Sequence, residues 1–231
     1  MDNELRLEYL TALGIDVWVP RDSLSNCITT SIESVNYEYS VTDDWEKLKS
    51  EISQCKQCDL FHIRSQSLLG AGSRQAEWLW ITEAPNKIED LKGQPILGPQ
   101  GDLFTEMLRS INLTREEVFV THIIKCMTPD HRTPHASELL SCKSYIQRQI
   151  RLIKPKIIIA LGHEAAQALI NQKAPLSKLR SMRHLVNNTP LFVINHPEYL
   201  LRFLNEKKLA WLDLQNAFKL YTELKDKKCG D

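Results

Sequence analysis

Four of the six cysteines in this 231-residue chain are spaced as ligands of one metal centre. Cys55-x2-Cys58 is a chelating pair, and Cys126-x15-Cys142 follows after a gap of 67 residues. An x2 pair grips one ion or cluster, and a distant second pair completes a four-thiolate shell. Zinc and an iron–sulfur cluster both accept four thiolates, so spacing alone leaves the occupant open. A thioredoxin-type redox pair is a third option. Against it, Cys55-Lys56-Gln57-Cys58 follows a predicted helix rather than a strand that opens a βαβ unit. Cys27 and Cys229 fall in a linker and a tail and are read as incidental.

Two further titratable residues stand at predicted strand ends. Glu83 starts a Gly/Pro-rich loop immediately after one strand, and His196-Pro197 follows another.

The elements that must position these groups alternate. Hydrophobic patterning predicts strands over 77–82, 118–124, 156–161 and 190–194, and helices over 102–111, 136–153, 163–171, 199–204 and 208–224. Alternation of this kind implies a three-layer α/β/α domain with a mostly parallel central sheet. In such sheets sites gather at the carboxyl ends of strands, where loops 83–101, 125–134 and 195–202 lie. Upstream, residues 2–13 show helical spacing, with Leu5, Tyr9, Leu10 and Leu13 on one stripe. Residues 19–41 read as a linker, and a helix starts near Thr42 or Asp43 with Trp45, Leu48 and Ile52 on one face. The expected organisation is a leader (1–18), a linker (19–41), the α/β domain (42–226) and a tail (227–231).

A formal net charge of zero hides an asymmetry: residues 1–51 carry −7 and residues 52–231 carry +7. A mildly basic body suits a nucleic-acid partner. No apolar run approaches the ~20 residues of a membrane span, and the acidic start is unlike a secretion signal. A cytoplasmic monomer of a bacterial cell is expected, without membrane association, and such a location disfavours disulfides.

Read together, five segments resemble the iron–sulfur branch, family 4, of the uracil-DNA glycosylase superfamily. They are Cys55-x2-Cys58 with Leu60 and Arg64; Glu83-Ala84-Pro85-x3-Glu89-Asp90-x2-Gly93-x-Pro95-x2-Gly98-x2-Gly101-x-Leu103; Lys125-Cys126-x2-Pro129-x2-Arg132-x-Pro134 with Cys142; Leu161-Gly162-x2-Ala165; and His196-Pro197-x-Tyr199-Leu200-Leu201-Arg202. The resemblance covers residues 55 to about 218. It implies a [4Fe–4S] cluster, with zinc the lesser alternative, on Cys55, Cys58, Cys126 and Cys142. It also implies DNA as partner and excision of uracil or a related damaged base flipped out of the helix. Glu83 and His196 would be catalytic. Ala84, Pro85, Ile96 and His122 would form the base pocket. Arg132, Pro197, Leu201 and Arg202 would meet DNA.

Four positions depart from that family's pattern. His122 stands where an Asn reads the uracil edge, and Ile96 where a Phe stacks on the base. Thr82 and Asn86 replace glycines around Glu83-Ala84-Pro85. Imidazole cannot present a coplanar donor and acceptor as an amide does, and Ile96 has no π face. In the leader, Leu13-Gly14-Ile15-x2-Trp18 with Arg21 resembles the amino-terminal peptide of the clamp-loader psi subunit. That likeness implies an alternative: a non-catalytic glycosylase-fold replisome subunit docked to clamp-loader partners through residues 1–21.

Overall fold

The computed structural model describes residues 44–226. The leader helix, the linker, the psi-like peptide, Cys27 and Cys229 lie outside the described residues.

Helix α1 (Trp45–Ser53) begins where Asp44 accepts from the Lys47 amide at 2.6 Å, and buries Leu48 and Ile52. The six strands are β1 (Ala71–Gly72), β2 (Trp78–Thr82), β3 (Val118–His122), β4 (Ile157–Leu161), β5 (His184–Val186) and β6 (Thr189–Ile194). They form one sheet in the order β1-β3-β2-β4-β6-β5. The four strands predicted from the sequence are its parallel centre; β1 and β5 are antiparallel edges.

Burial on both faces explains why β2 and β4 read as unbroken apolar runs. Side chains alternate across the sheet. Leu79, Ile81, Phe119, Ile158 and Ala160 pack on one side with α1, α4 (Ala136–Ile153) and α5 (His163–Ile170). Trp78, Trp80, Val120, Ile157 and Ile159 pack on the other with α3 (Pro99–Arg109) and α8 (Lys207–Asp226). The result is the expected α/β/α sandwich.

Four short strands and α-helices are absent from the sequence-based expectation, the edge strand β1 among them. Helix α2 (Lys87–Lys92) lies inside the predicted loop and is started by a capping box, in which Asn86 and Glu89 satisfy each other's backbone N–H groups. Helix α6 (Leu176–Ser181) precedes the unpredicted edge strand β5. Helix α3 also begins three residues earlier than expected, with Pro99 at its first position and Gly98 at φ 73° before it. The segment after β6 forms α7 (Pro197–Arg202) and a short 3₁₀ turn, Leu204–Glu206. Among the described residues no helix is long and apolar enough to cross a membrane.

Candidate active site

The carboxyl ends of β2, β4 and β6 converge on one cavity of about 100 Å³, lined by Thr82, Glu83, Gln100, His131, Glu164 and His196 among others. It adjoins an open groove of about 700 Å³, and Glu83, His196 and Glu198 line both.

Glu83 leaves the end of β2 and reaches the start of α5, where its Oε1 accepts from the Glu164 amide at 3.2 Å. Gly162 makes this contact feasible: it sits at φ +94°, and a Cβ there would stand 2.1 Å from Glu83 Oε1. Burial first, and the nearby Glu164 carboxylate second, push the Glu83 pKa up to about 7 against the pull of the α5 amides. A carboxyl poised near neutrality fits a group that must orient water or face a cation.

His196 precedes Pro197, the buried first residue of α7. Its Nδ1 accepts from the Glu198 amide at 3.2 Å, so in the neutral ring the proton belongs to Nε2. That Nε2–H lies 3.0 Å from Thr82 Oγ1. Burial lowers the His196 pKa to about 4, which keeps the ring neutral at physiological pH. A neutral donor is therefore fixed at the cavity mouth, with its tautomer set by the backbone.

Of the expected base-pocket residues, Ala84 and Pro85 line the cavity, whereas Ile96 and His122 do not. Ile96 is 0% exposed and belongs to the core beside Trp80 and Phe104, with its backbone at φ 49°. Its side chain lies in the core rather than on the cavity wall, and the turn that carries it is tied by Arg115, whose Nη2 donates to Ile96 O (2.9 Å) and Gly101 O (2.8 Å). His122 is also fully buried, one layer behind the cavity, and its Nε2 lies 3.2 Å from Glu89 Oε2. Burial holds His122 below its ordinary pKa. Burial would raise Glu89, but the hydrogen bonds from His122, Asn86 and Leu97 outweigh it and leave a carboxylate.

The expected DNA contacts divide in two. Arg132 lines the cavity but is committed to a bidentate pair with Glu138, at 2.9 and 2.6 Å, and this pair holds the loop before α4. Its guanidinium is a loop brace rather than a free phosphate ligand. Arg202 is exposed and, among the described residues, pairs with Glu198 one turn back in α7, a surface contact that phosphate can replace at small cost. Leu201, 38% exposed, sits in an apolar patch with Tyr199, Phe203 and Leu204, and Pro197 anchors the helix beneath it.

The four cysteines are free and neighbours. Cys142, on α4, and Cys126 are buried in one core cluster, and Cys55 and Cys58 pack against that cluster. Burial raises Cys58, Cys126 and Cys142, the last to about 12, and neighbouring thiols add to it: Cys55 acts on Cys58, Cys58 and Cys55 on Cys126, and Cys126 and Cys58 on Cys142. Arg64 ties the halves together: Nη1 is 3.0 Å from Cys126 Sγ, while Nη2 donates to Ser53 O and Cys55 O. The Leu60 and Lys125 amides are directed at the sulfurs of Cys58 and Cys142. Among the described residues no group of three or more His, Cys, Asp or Glu is disposed to hold a single metal ion. The surroundings nonetheless suit a thiolate-bound anionic group. Besides Arg64, the fully buried Lys125 donates, among the described residues, only to neutral oxygens, of Thr121, His122 and Gln149; burial lowers its pKa to about 7, and negative charge on Cys142 and Cys126 pulls the other way, toward the ammonium. A buried cation without a carboxylate partner is costly unless negative charge lies beside it.

Sequence reasoning missed Gln100, Glu164 and Gly162 as parts of the site. Gly162 carried a signal, a lone glycine between a strand and a helix; Gln100 and Glu164 carried none before the layers were assembled.

Comparison with known proteins agrees with this architecture. Residues 69–216 match the family model described as the uracil DNA glycosylase superfamily. The chain is 43% identical over 121 residues to a type-4 uracil-DNA glycosylase of Archaeoglobus fulgidus, covering 52% of this chain and 61% of that protein. It is 33% identical over 191 residues to one of Sulfurisphaera tokodaii, covering 79% of this chain and 85% of that protein. It is 37% identical over 131 residues to one of Saccharolobus solfataricus, covering 56% and 61%. The match thus spans about three fifths of two of these relatives and most of the third. This chain belongs to the uracil-DNA glycosylase superfamily, in its type-4 branch.

Proposed function

We propose that the protein is a DNA-repair N-glycosylase that hydrolyses the bond between deoxyribose C1′ and a flipped-out uracil. The observation that carries this reading is the pairing, at one cavity mouth, of a neutral His196 whose free proton is on Nε2 with a carboxyl at Glu83 poised near pH 7.

Breaking the glycosidic bond places positive charge on the sugar and negative charge on the uracil ring. Nε2–H of His196 is suited to donate to the uracil carbonyl oxygen as the anion forms, exchanging its contact with Thr82 Oγ1 for a stronger one. The Glu83 carboxylate is suited to the opposite charge, facing the oxocarbenium ion or orienting the water that adds to C1′. No proton need leave His196: the water that adds to C1′ gives its proton to the Glu83 carboxylate, which returns it to solvent, and the departing uracil anion takes up one proton from solvent. The apolar patch of α7 around Leu201 supplies a wedge for the vacated space in the duplex, with Arg202 beside it for phosphate.

In this reading Cys55, Cys58, Cys126 and Cys142 hold a [4Fe–4S] cluster. When bound, it supplies a covalent tie between the 55–58 segment and the loop that carries His131 and Arg132 to the cavity. Arg64 and Lys125 offset its negative charge.

The test is single-turnover release of free uracil from uracil-containing DNA, comparing wild type with His196→Ala and Glu83→Gln. Release by wild type and its loss in the variants supports the assignment. Intact substrate at excess enzyme refutes it.

A further inference from the structure

An amide does face the cavity in this chain, though not from position 122. Gln100, second residue of α3, is 8% exposed and lines the cavity. Its Nε2 donates to Glu89 Oε1 at 3.1 Å. Its Oε1 accepts no hydrogen bond among the described residues, nor is it one of their buried unpaired atoms, which leaves it open to the cavity. Glu89 is fixed in turn, with Oε2 held by His122 Nε2 (3.2 Å) and the Asn86 amide (2.9 Å). The backbone beneath Gln100 is equally constrained, because Arg115 clamps Ile96 O and Gly101 O on either side of it.

We infer that Gln100 reads the edge of the flipped base, with its carboxamide locked in one orientation by the Glu89–His122 pair. The inference rests on the glycosylase reading above and names the specificity element of the same site. Uracil presents an acceptor, O4, beside a donor, N3–H. An amide matches both at once: the second hydrogen on Nε2 reaches O4, and Oε1 accepts from N3–H. Cytosine presents the reverse pattern, with an amino donor beside an acceptor nitrogen, and would need the amide turned over. Glu89, an acceptor only, opposes that turn because it would then face Gln100 Oε1. His122 is thus a positioning residue. It cannot read the base itself, but it holds the carboxylate that orients the reader.

The experiment measures binding to single-stranded DNA bearing one 2′-fluoro-2′-deoxyuridine or one 2′-fluoro-2′-deoxycytidine, both resistant to cleavage, by fluorescence anisotropy. Wild type is expected to prefer the uracil analogue by about 10-fold or more, and Gln100→Ala to bring the ratio close to one, since one base-edge pair discriminates by roughly that factor. Glu89→Gln should narrow the ratio as well, by freeing the amide to turn. A purely structural role for Gln100 would weaken both probes equally and leave the ratio intact, which would overturn the inference, as would a wild type that shows no preference. Should Gln100→Ala fail to fold, Gln100→Met, similar in length and without an amide, is read in the same way. Because the probes are not cleaved, a chain that binds selectively but releases no uracil would sink the glycosylase reading and leave this one standing.

Discussion

A Cβ placed on Gly162 would stand 2.1 Å from Glu83 Oε1, so the glycine after β4 and the carboxyl after β2 occupy one space between them. The consequence is a dependence that the linear sequence hides. Gly162→Ala must either drive Glu83 out of the site or push α5 away, and it must also hold a non-glycine residue at φ +94°. Uracil release should fall at least about 10-fold, the scale of a misplaced catalytic group. Far-UV circular dichroism should show the fold retained, with a lowered melting temperature.

The pH profile should show one limb near neutrality. Glu83 must be ionised to face a cation, and with a pKa of about 7 its carboxylate form grows in across about pH 6 to 8. His196, at about 4, is neutral throughout that range and adds no second limb. Single-turnover rates should therefore rise with pH to a plateau, and Glu83→Gln should abolish the limb along with most of the rate.

The same shifts make signed predictions about stability. Glu83 has a folded pKa above its ordinary value of 4.5, so its contribution is fully present below pH 4.5 and is lost as pH rises through about 7. Glu83→Gln should therefore be more stable than wild type at pH 8, by denaturant titration, while being less active. His196 is shifted the other way, from 6.5 down to about 4, so its contribution is present above pH 6.5 and is lost as pH falls toward 4.

Much of this architecture was legible in advance. The four central strands were readable because burial on both faces makes them continuous apolar runs, and the cysteine spacing brought together two segments that do pack against each other. The edge strands were not readable: β1 has two residues and β5 three, too few to show a period. The pocket was half readable. Glu83 and His196 both line the cavity, whereas Ile96 and His122, assigned to the base by position in a pattern, do not. A turn tied by Arg115, with Ile96 at φ 49°, is a tertiary outcome that no local signal announces. The Arg132–Glu138 pair was hidden for a similar reason, since its two members come together only when the loop folds back on the first turn of α4.

The two arginines should separate by assay. Arg202→Ala should weaken binding to all DNA sequences alike and reduce the slope of log K against log salt by about one, as expected of one lost phosphate contact. Arg132→Ala should instead lower the melting temperature, because it leaves Glu138, 6% exposed, without its partner. A salt slope changed by Arg132→Ala and untouched by Arg202→Ala would reverse the assignment.

The cysteines make a prediction independent of activity. Protein prepared without oxygen should contain about four iron atoms per chain and show broad visible absorbance. Cys126→Ser should lose both and melt at lower temperature, since Arg64 then has no sulfur to hold. Stoichiometric zinc with no iron would replace the cluster assignment.

The most direct measurement of the central claim is the release of free uracil from a single-stranded oligonucleotide bearing one deoxyuridine, with enzyme in excess. Wild type should release uracil, and His196→Ala should lose about 100-fold or more of that rate, the scale of one removed oxyanion donor. Uncut substrate with wild type, or release undiminished in His196→Ala, would contradict it.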